Sequence, residues 1–166
     1  MRFQLPATLL TAALSATPAL AGQKVAAVWS SSTFSTVGKT GTNSFDGGFA
    51  LLNSDKDGIY SDGAPDGHTP CTFAGTEFQL EKGCLGGAWY SFRCVANQIG
   101  VPQTCEVFGP EGQSLGKGDG SNESEFFGVG IALGGACTVE FELVDGIDCG
   151  AGVDGFKAHH TGWNRW

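Results

Sequence analysis

The stretch that follows Leu52 carries oxygen-bearing side chains at the spacing of calcium ligands. Asn and Asp residues occupy its first, third and fifth positions and Gly58 its sixth, as at the start of an EF-hand loop. The twelfth position is Ala64 rather than a bidentate Glu, so Asp62 or Asp66 would have to complete the site. The alternative is a polar hairpin turn, because Asn and Asp-Gly tolerate left-handed backbone. We expect no resident cofactor, with calcium as the alternative. The candidate calcium ligands are Asn53, Asp55, Asp57 and Asp62.

A serine-hydrolase motif, Gly-x-Ser-x-Gly, is matched by residues 112–116, with Ser114 at its centre. Aspartates and the pair His159-His160 follow in the order usual for that class. The motif requires a buried strand before the serine and a helix after it. Pro110 precedes it and a Gly-rich stretch follows, so the flanks predict neither element.

Two carboxylates, Glu140 and Glu142, share the outward face of one predicted strand. Their spacing is roughly 7 Å, from the rise of two strand residues. Paired carboxylates catalyse glycoside hydrolysis, but a solvated strand face is the commoner explanation of such a pattern. We therefore expect no catalytic residue and no enzyme, and a small extracellular hydrolase is the lesser alternative.

An aromatic alternation marks the run from Trp89 to Cys94. Tyr90, Phe92 and Cys94 fall on one strand face, which we expect to be buried, and Trp89 and Arg93 on the other. An exposed aromatic ring beside a cation is a binding platform for sugars or cations. The alternative is a ring that covers a sheet edge with Arg93 lying over it.

The amino terminus predicts secretion. Residues 1–21 combine a short basic start, an apolar run and Ala19-Leu20-Ala21, which is typical of a signal peptide cleaved after Ala21. The run is too short for a membrane anchor. Six cysteines behind such a leader predict three disulfides in an oxidising, extracellular location. Asn122-Glu123-Ser124 is an N-glycosylation sequon, which predicts a surface position for Asn122 in a secreted chain.

The charge limits the partners. Removing residues 1–21 takes away Arg2 and leaves residues 22–166, with 8 basic and 17 acidic residues and a net charge of −9. Such an acidic surface repels phosphate backbones and anionic headgroups, so we expect no nucleic-acid or membrane partner. We expect a monomer whose partner is an extracellular protein or a glycan.

Short alternating runs between Gly-rich turns predict one all-β domain at residues 22–166. We expect seven to eight short strands in a disulfide-stapled β-sandwich or small β-barrel, followed by an exposed or partly ordered tail from His159 onward. For the disulfides, the sequence favours the local pairs Cys71–Cys84, Cys94–Cys105 and Cys137–Cys149. The alternative for the last pair is that Cys149 reaches back to a cysteine of the block Cys71–Phe108. The clearest strand predictions are Val25–Ser30, Gly48–Leu52, Thr76–Leu80, Trp89–Val95, Thr104–Phe108, Phe126–Leu133 and Cys137–Leu143.

The leader, the six cysteines and the acidic, Gly-rich β pattern together resemble the small secreted cysteine-rich proteins of filamentous fungi, many of them effector-like. Cys84, Trp89-Tyr90 and Cys94 also resemble, at a distance, the Alternaria-major-allergen-like β-barrel family, although Phe92-Arg93 lengthens the spacing. The first resemblance implies a non-catalytic interaction protein that acts at a host or cell-wall surface. A carbohydrate-binding or calcium-assisted lectin-like module is the alternative.

Overall fold

The structure is a computed structural model that describes residues 22–36, 44–122, 125–127, 130–132, 134–144 and 146–163. The predicted leader lies outside these residues. In the part of the chain that is described, no helix has the length and apolar character needed to cross a membrane.

The described residues form eleven strands and two single-turn 3-10 helices, Pro65–Gly67 and Gly83–Leu85. The all-β prediction is confirmed, with a higher strand count. The strands are β1 (Lys24–Thr36), β2 (Ser44–Leu52), β3 (Gly58–Asp62), β4 (Thr76–Lys82), β5 (Trp89–Ala96), β6 (Pro102–Phe108), β7 (Ser114–Asp119), β8 (Glu125–Phe127), β9 (Gly130–Ala132), β10 (Ala136–Glu142) and β11 (Phe156–His160).

The strands make two antiparallel sheets. Sheet A is ordered β3-β2-β1. On the side of β1 away from β2, the first half of this long strand pairs with β10 and its second half pairs with β9. Strand β8 lies beyond β9. Sheet B is ordered β11-β4-β5-β6-β7. The described strands do not close into a barrel, so the sandwich is the correct alternative of the two predicted architectures.

The predicted strand from Phe126 to Leu133 is wrong. This segment instead supplies β8 and β9, which pair with each other. The predicted loose tail is also wrong from His159 to His160, because both residues belong to β11, an edge strand of sheet B.

A cluster of aromatic rings fills the space between the sheets. Phe49 on sheet A is its hub, with its ring centroid 4.8 Å from those of both Phe78 and Phe92 on sheet B and 5.1 Å from that of Trp29. All four side chains are buried. Edge-to-face and tilted ring pairs stabilise a core beyond the burial of their area, so these rings set the spacing of the two sheets.

The three disulfides are Cys71–Cys94, Cys84–Cys149 and Cys105–Cys137. All three local pairs favoured by the sequence are therefore wrong. The alternative for Cys149 is confirmed, because its partner Cys84 belongs to the block Cys71–Phe108. Cys94 and Cys105 do lie opposite each other on neighbouring strands, but each is bonded to a residue outside the β5–β6 pair. Cys105–Cys137 joins sheet B to sheet A, and Cys84–Cys149 ties the second 3-10 helix to the segment before β11.

The two sheets approach each other most closely where β7 runs beside β10. A Cβ added at Gly118 would overlap the carbonyl oxygen of Thr138 and lie 3.1 Å from the Sγ of Cys105, and one at Gly116 would lie 2.8 Å from a methyl carbon of Val139. Only glycine fits at both places, and the adjoining Cys105–Cys137 bond fixes the approach.

We predict that Gly118→Ala destabilises the protein by about 1–3 kcal/mol, because the new methyl group must push β7 away from β10. Chemical denaturation under non-reducing conditions measures the change. Gly87→Ala is the matched control, since among the described residues no heavy atom lies within 4 Å of its added Cβ. An equal effect of the two substitutions would contradict the close approach.

We predict that Cys105→Ala combined with Cys137→Ala lowers the free energy of unfolding by roughly 3–4 kcal/mol, the chain-entropy value for bonded residues 32 positions apart. Denaturant titration measures this loss. Peptide mapping without reduction checks the connectivity in the wild-type protein, and a peptide that links Cys94 to Cys105 would overturn it.

Candidate binding face

The outward surface of sheet B presents polar and aromatic side chains in register. Strand pairing aligns Glu77, Arg93, Glu106 and Lys117 in one row across four strands. We call this surface outer face B. Its members are Glu77, Gln79, Glu81, Trp89, Ser91, Arg93, Thr104, Glu106, Phe108, Lys117, Asp119, Lys157 and His159, with Trp163 from the segment after β11 lying over it.

Several charged side chains on outer face B lie beside a group of opposite charge on a neighbouring strand. Lys117 Nζ lies 3.2 Å from Glu106 Oε1, and His159 Nε2 lies 3.3 Å from Glu81 Oε1. The face has three basic side chains (Lys157, Arg93, Lys117) against four acidic ones (Glu77, Glu81, Glu106, Asp119), a net charge of −1, whereas the whole chain carries −8. The acidic excess therefore lies mainly elsewhere.

Arg93 is held on three sides. Its Nε donates to Glu77 Oε2, and the guanidinium carbon lies 4.2 Å from the ring centroid of Phe108 and 5.1 Å from that of Trp163. The Glu77 side chain is only 9 % exposed, so this ion pair is partly shielded from water. Arg93 thus joins β4, β5, β6 and the C-terminal segment at one point.

Trp89 differs from Arg93, although both point outward from β5. Its side chain is 38 % exposed and lies opposite Glu81 on β4. Among the described contacts, the guanidinium of Arg93 lies over Phe108 and Trp163 rather than over Trp89. The two predicted binding residues share one face but form no cation–π pair there.

Sequence reasoning missed the C-terminal part of outer face B. Thr161 contacts β4 through its backbone N–H and its hydroxyl, both of which donate to the carbonyl oxygen of Glu77 at 3.1 and 3.2 Å. These bonds bring Trp163 over Arg93. The short alternation of Phe156 and Ala158 with Lys157 is the signal that could have indicated the edge strand.

The residues proposed for calcium lie around the β2–β3 hairpin. Asn53 Oδ1 accepts hydrogen bonds from the N–H groups of Asp55 and Asp57, each at 2.9 Å, which is the pattern of a turn. Asp62 Oδ1 instead accepts from Ala64 N–H at 2.9 Å. Within the described residues no group of three or more His, Cys, Asp or Glu side chains could hold a metal. Calcium binding here stays a prediction.

A cleft of about 560 Å³ is lined by residues of β1, β10 and the β2–β3 turn, together with Leu115 of β7. Its walls hold both Glu140 and Glu142 together with Lys24 and Lys56. Lys56 Nζ lies 3.4 Å from Glu140 Oε1, and that carboxylate side chain is 76 % exposed. A glycosidase general acid is instead held in an apolar enclosure. The ring among the lining residues, Phe141, is buried, so it offers no stacking surface.

The serine and histidines of the hydrolase pattern lie in separate contacts. Ser114 is the first residue of β7, and its hydroxyl donates to Glu106 Oε1 at 2.6 Å. His159 pairs with Glu81 on outer face B, whereas the ring of His160 stacks on His68 at 3.9 Å between centroids. Ser114 therefore begins a strand of sheet B instead of forming a strand-to-helix elbow.

The predicted glycosylation residue Asn122 is exposed and follows the isolated bridge between Ser121 and Ala136. The sequon serine lies outside the described residues.

Comparison of the sequence with models of known protein families, with curated proteins and with solved structures finds no match. Function must therefore be argued from the chain's own geometry.

Both tyrosines of the chain have raised pKa values in the folded protein. Burial is the main cause for Tyr60. The negative charge of Asp62 adds to the rise, as does the hydrogen bond that the Tyr60 hydroxyl donates to Asp62 Oδ2 at 3.2 Å. Burial also raises the pKa of Tyr90, partly opposed by the N–H of Val144, which donates to the phenol oxygen at 2.9 Å.

We predict that the protein loses stability as the pH rises above about 10, the pKa of tyrosine in an unfolded chain. Above that pH the unfolded chain releases phenol protons that the folded protein still holds, whereas below it both states hold them.

The chain has only two tyrosines, so ultraviolet absorbance of phenolate measures their ionisation directly. At the pH where the tyrosines of the denatured protein are half ionised, those of the folded protein should be mostly protonated. Tyr60→Phe should make unfolding less pH-dependent in this range. A folded-state midpoint near the unfolded value for both tyrosines would contradict the prediction.

Proposed function

We propose that this chain is a secreted, non-catalytic binding protein that acts at a host or cell-wall surface through outer face B. The observation that carries the proposal is Trp89, a large ring left 38 % exposed on the central strand of a sheet. Exposed aromatic anchors surrounded by polar groups are typical of binding surfaces.

The construction of the sheet supports this proposal. Outer face B lies on five hydrogen-bonded strands above a core of packed rings. Disulfides at Cys94 and Cys105 hold the two middle strands, β5 and β6, from the buried side. A surface fixed in this way loses little conformational freedom on binding, which favours affinity.

The disulfides also support an extracellular location. Three disulfides indicate an oxidising compartment. Secretion through the predicted leader and a glycan on Asn122 belong to the proposal. Fungal origin and an effector-like role rest on the sequence resemblance alone.

A non-catalytic role is supported by the partners of the residues that could do chemistry. Ser114 is bonded to Glu106, and Glu140 is an exposed partner of Lys56. Neither arrangement places a nucleophile beside a histidine or a carboxylic acid in an apolar pocket.

We predict that the purified protein is retained by insoluble cell walls or intact cells of plants or fungi, and that Trp89→Ala weakens retention at least tenfold. The expected loss corresponds to about 1.4 kcal/mol of binding free energy. Sedimentation of labelled protein with each preparation measures it.

Ile99→Ala is the matched control, because Ile99 is a large apolar side chain that is 84 % exposed in the turn between β5 and β6, away from outer face B. Retention that Trp89→Ala leaves unchanged would overturn the role of outer face B. Absence of retention on every preparation would overturn the proposed function itself.

A further inference from the structure

We propose that outer face B binds a linear, uncharged glycan that lies along β5 and contacts the rings of Trp89 and Trp163. This inference rests on the proposed function and names its ligand class. It is argued from the spacing of the two rings, the balance of charges and the groove beside Trp163.

The two rings lie at opposite ends of the same face. Trp89 is the first residue of β5, and Trp163 lies over Arg93, four residues further along that strand. Four strand residues put the Cα atoms of Trp89 and Arg93 roughly 13 Å apart. With one indole near each end of this stretch, the face suits an extended oligosaccharide whose separate units stack on the two rings.

Polar groups lie between the rings and beside Trp163. Gln79 Nε2 donates to Ser91 Oγ at 3.2 Å, and the amide oxygen of Gln79 is a hydrogen-bond acceptor. Beyond Arg93, a groove of about 290 Å³ runs beside Trp163 and is edged by Thr104, Lys117 and Asp119. Sugar hydroxyls both donate and accept, so they can bond to the hydroxyl, ammonium and carboxylate groups of these three side chains.

The charge pattern selects an uncharged chain. On outer face B the guanidinium of Arg93 and the ammonium of Lys117 already have carboxylate partners, Glu77 and Glu106. An anionic glycan would have to break these pairs and approach a chain of net charge −8. A neutral ligand leaves the pairs intact and avoids the cost of an unpaired charge.

Isothermal titration with soluble cello-, chito-, laminari- and xylo-oligosaccharides tests the proposal, with an oligogalacturonate as the anionic comparison. We expect one or more of the neutral series to bind, with affinity that rises with chain length until both indoles are covered. The oligogalacturonate should bind at least tenfold more weakly. Trp89→Ala and Trp163→Ala should each weaken binding at least tenfold, whereas Ile99→Ala should not.

Trp163→Phe separates stacking from folding, because the smaller ring retains the contact with Arg93 and should restore part of the lost affinity. Circular dichroism and the denaturation midpoint confirm that each variant is folded. Absence of binding to all neutral oligosaccharides, or affinity that is independent of chain length, would overturn the inference.

The proposed function and the glycan inference can be tested independently of each other. If protease treatment of the cell walls abolishes retention that depends on Trp89, and no neutral oligosaccharide binds, the partner is a protein. In that outcome the proposed function holds and the glycan inference fails.

Discussion

The close approach of β7 to β10 is the constraint on which the rest of this fold depends. At Gly116 and Gly118 β7 contributes no side chain to this contact, and the Cys105–Cys137 bond joins the two sheets beside it. At this edge the sheets are too close for bulky residues, so the large rings gather further inside, around Phe49. A sandwich held at one edge by a covalent bond and filled by interlocking rings has little freedom to shear.

This rigidity determines what the outward surface of sheet B can do. Side chains on a strand alternate strictly between faces, so burying Phe78, Tyr90 and Phe92 forces Glu77, Trp89 and Arg93 outward. Outer face B therefore consists of the residues that alternate with the buried residues of sheet B. The rows of side chains across this face follow from the pairing register of the strands. The packing of the core determines the positions of the outward side chains. The ion pairs among these side chains determine which of them are available to a binding partner.

Alternation was enough to predict the fold class and most strands, because it depends only on neighbours in the sequence. The faces of Tyr90, Phe92, Trp89 and Arg93 followed from the same rule. Disulfide pairing did not follow, because Cys84 and Cys149 meet only when the segment before β11 crosses back to the second 3-10 helix. Loop-closure entropy favours near pairs only weakly and cannot outweigh the geometry of packed sheets.

The candidate site was likewise predicted only where it depends on residues that are close in the sequence. Sequence reasoning put Trp89 and Arg93 side by side, either as a ligand platform or as a ring covering a sheet edge with Arg93 lying over it, since two residues on the same side of a strand are neighbours. The structure separates their roles, because Arg93 is engaged by Phe108 and Trp163, and Trp163 arrives through bonds between Thr161 and Glu77. In the proposed glycan site, the indole of Trp163 therefore takes the role beside Trp89 that the sequence had suggested for the arginine. An aromatic ring beside a cation would favour a compact charged ligand, whereas two rings separated along a strand favour an extended neutral one. The proposed preference for a neutral ligand therefore depends on the C-terminal segment, whose position no local pattern in β5 could reveal.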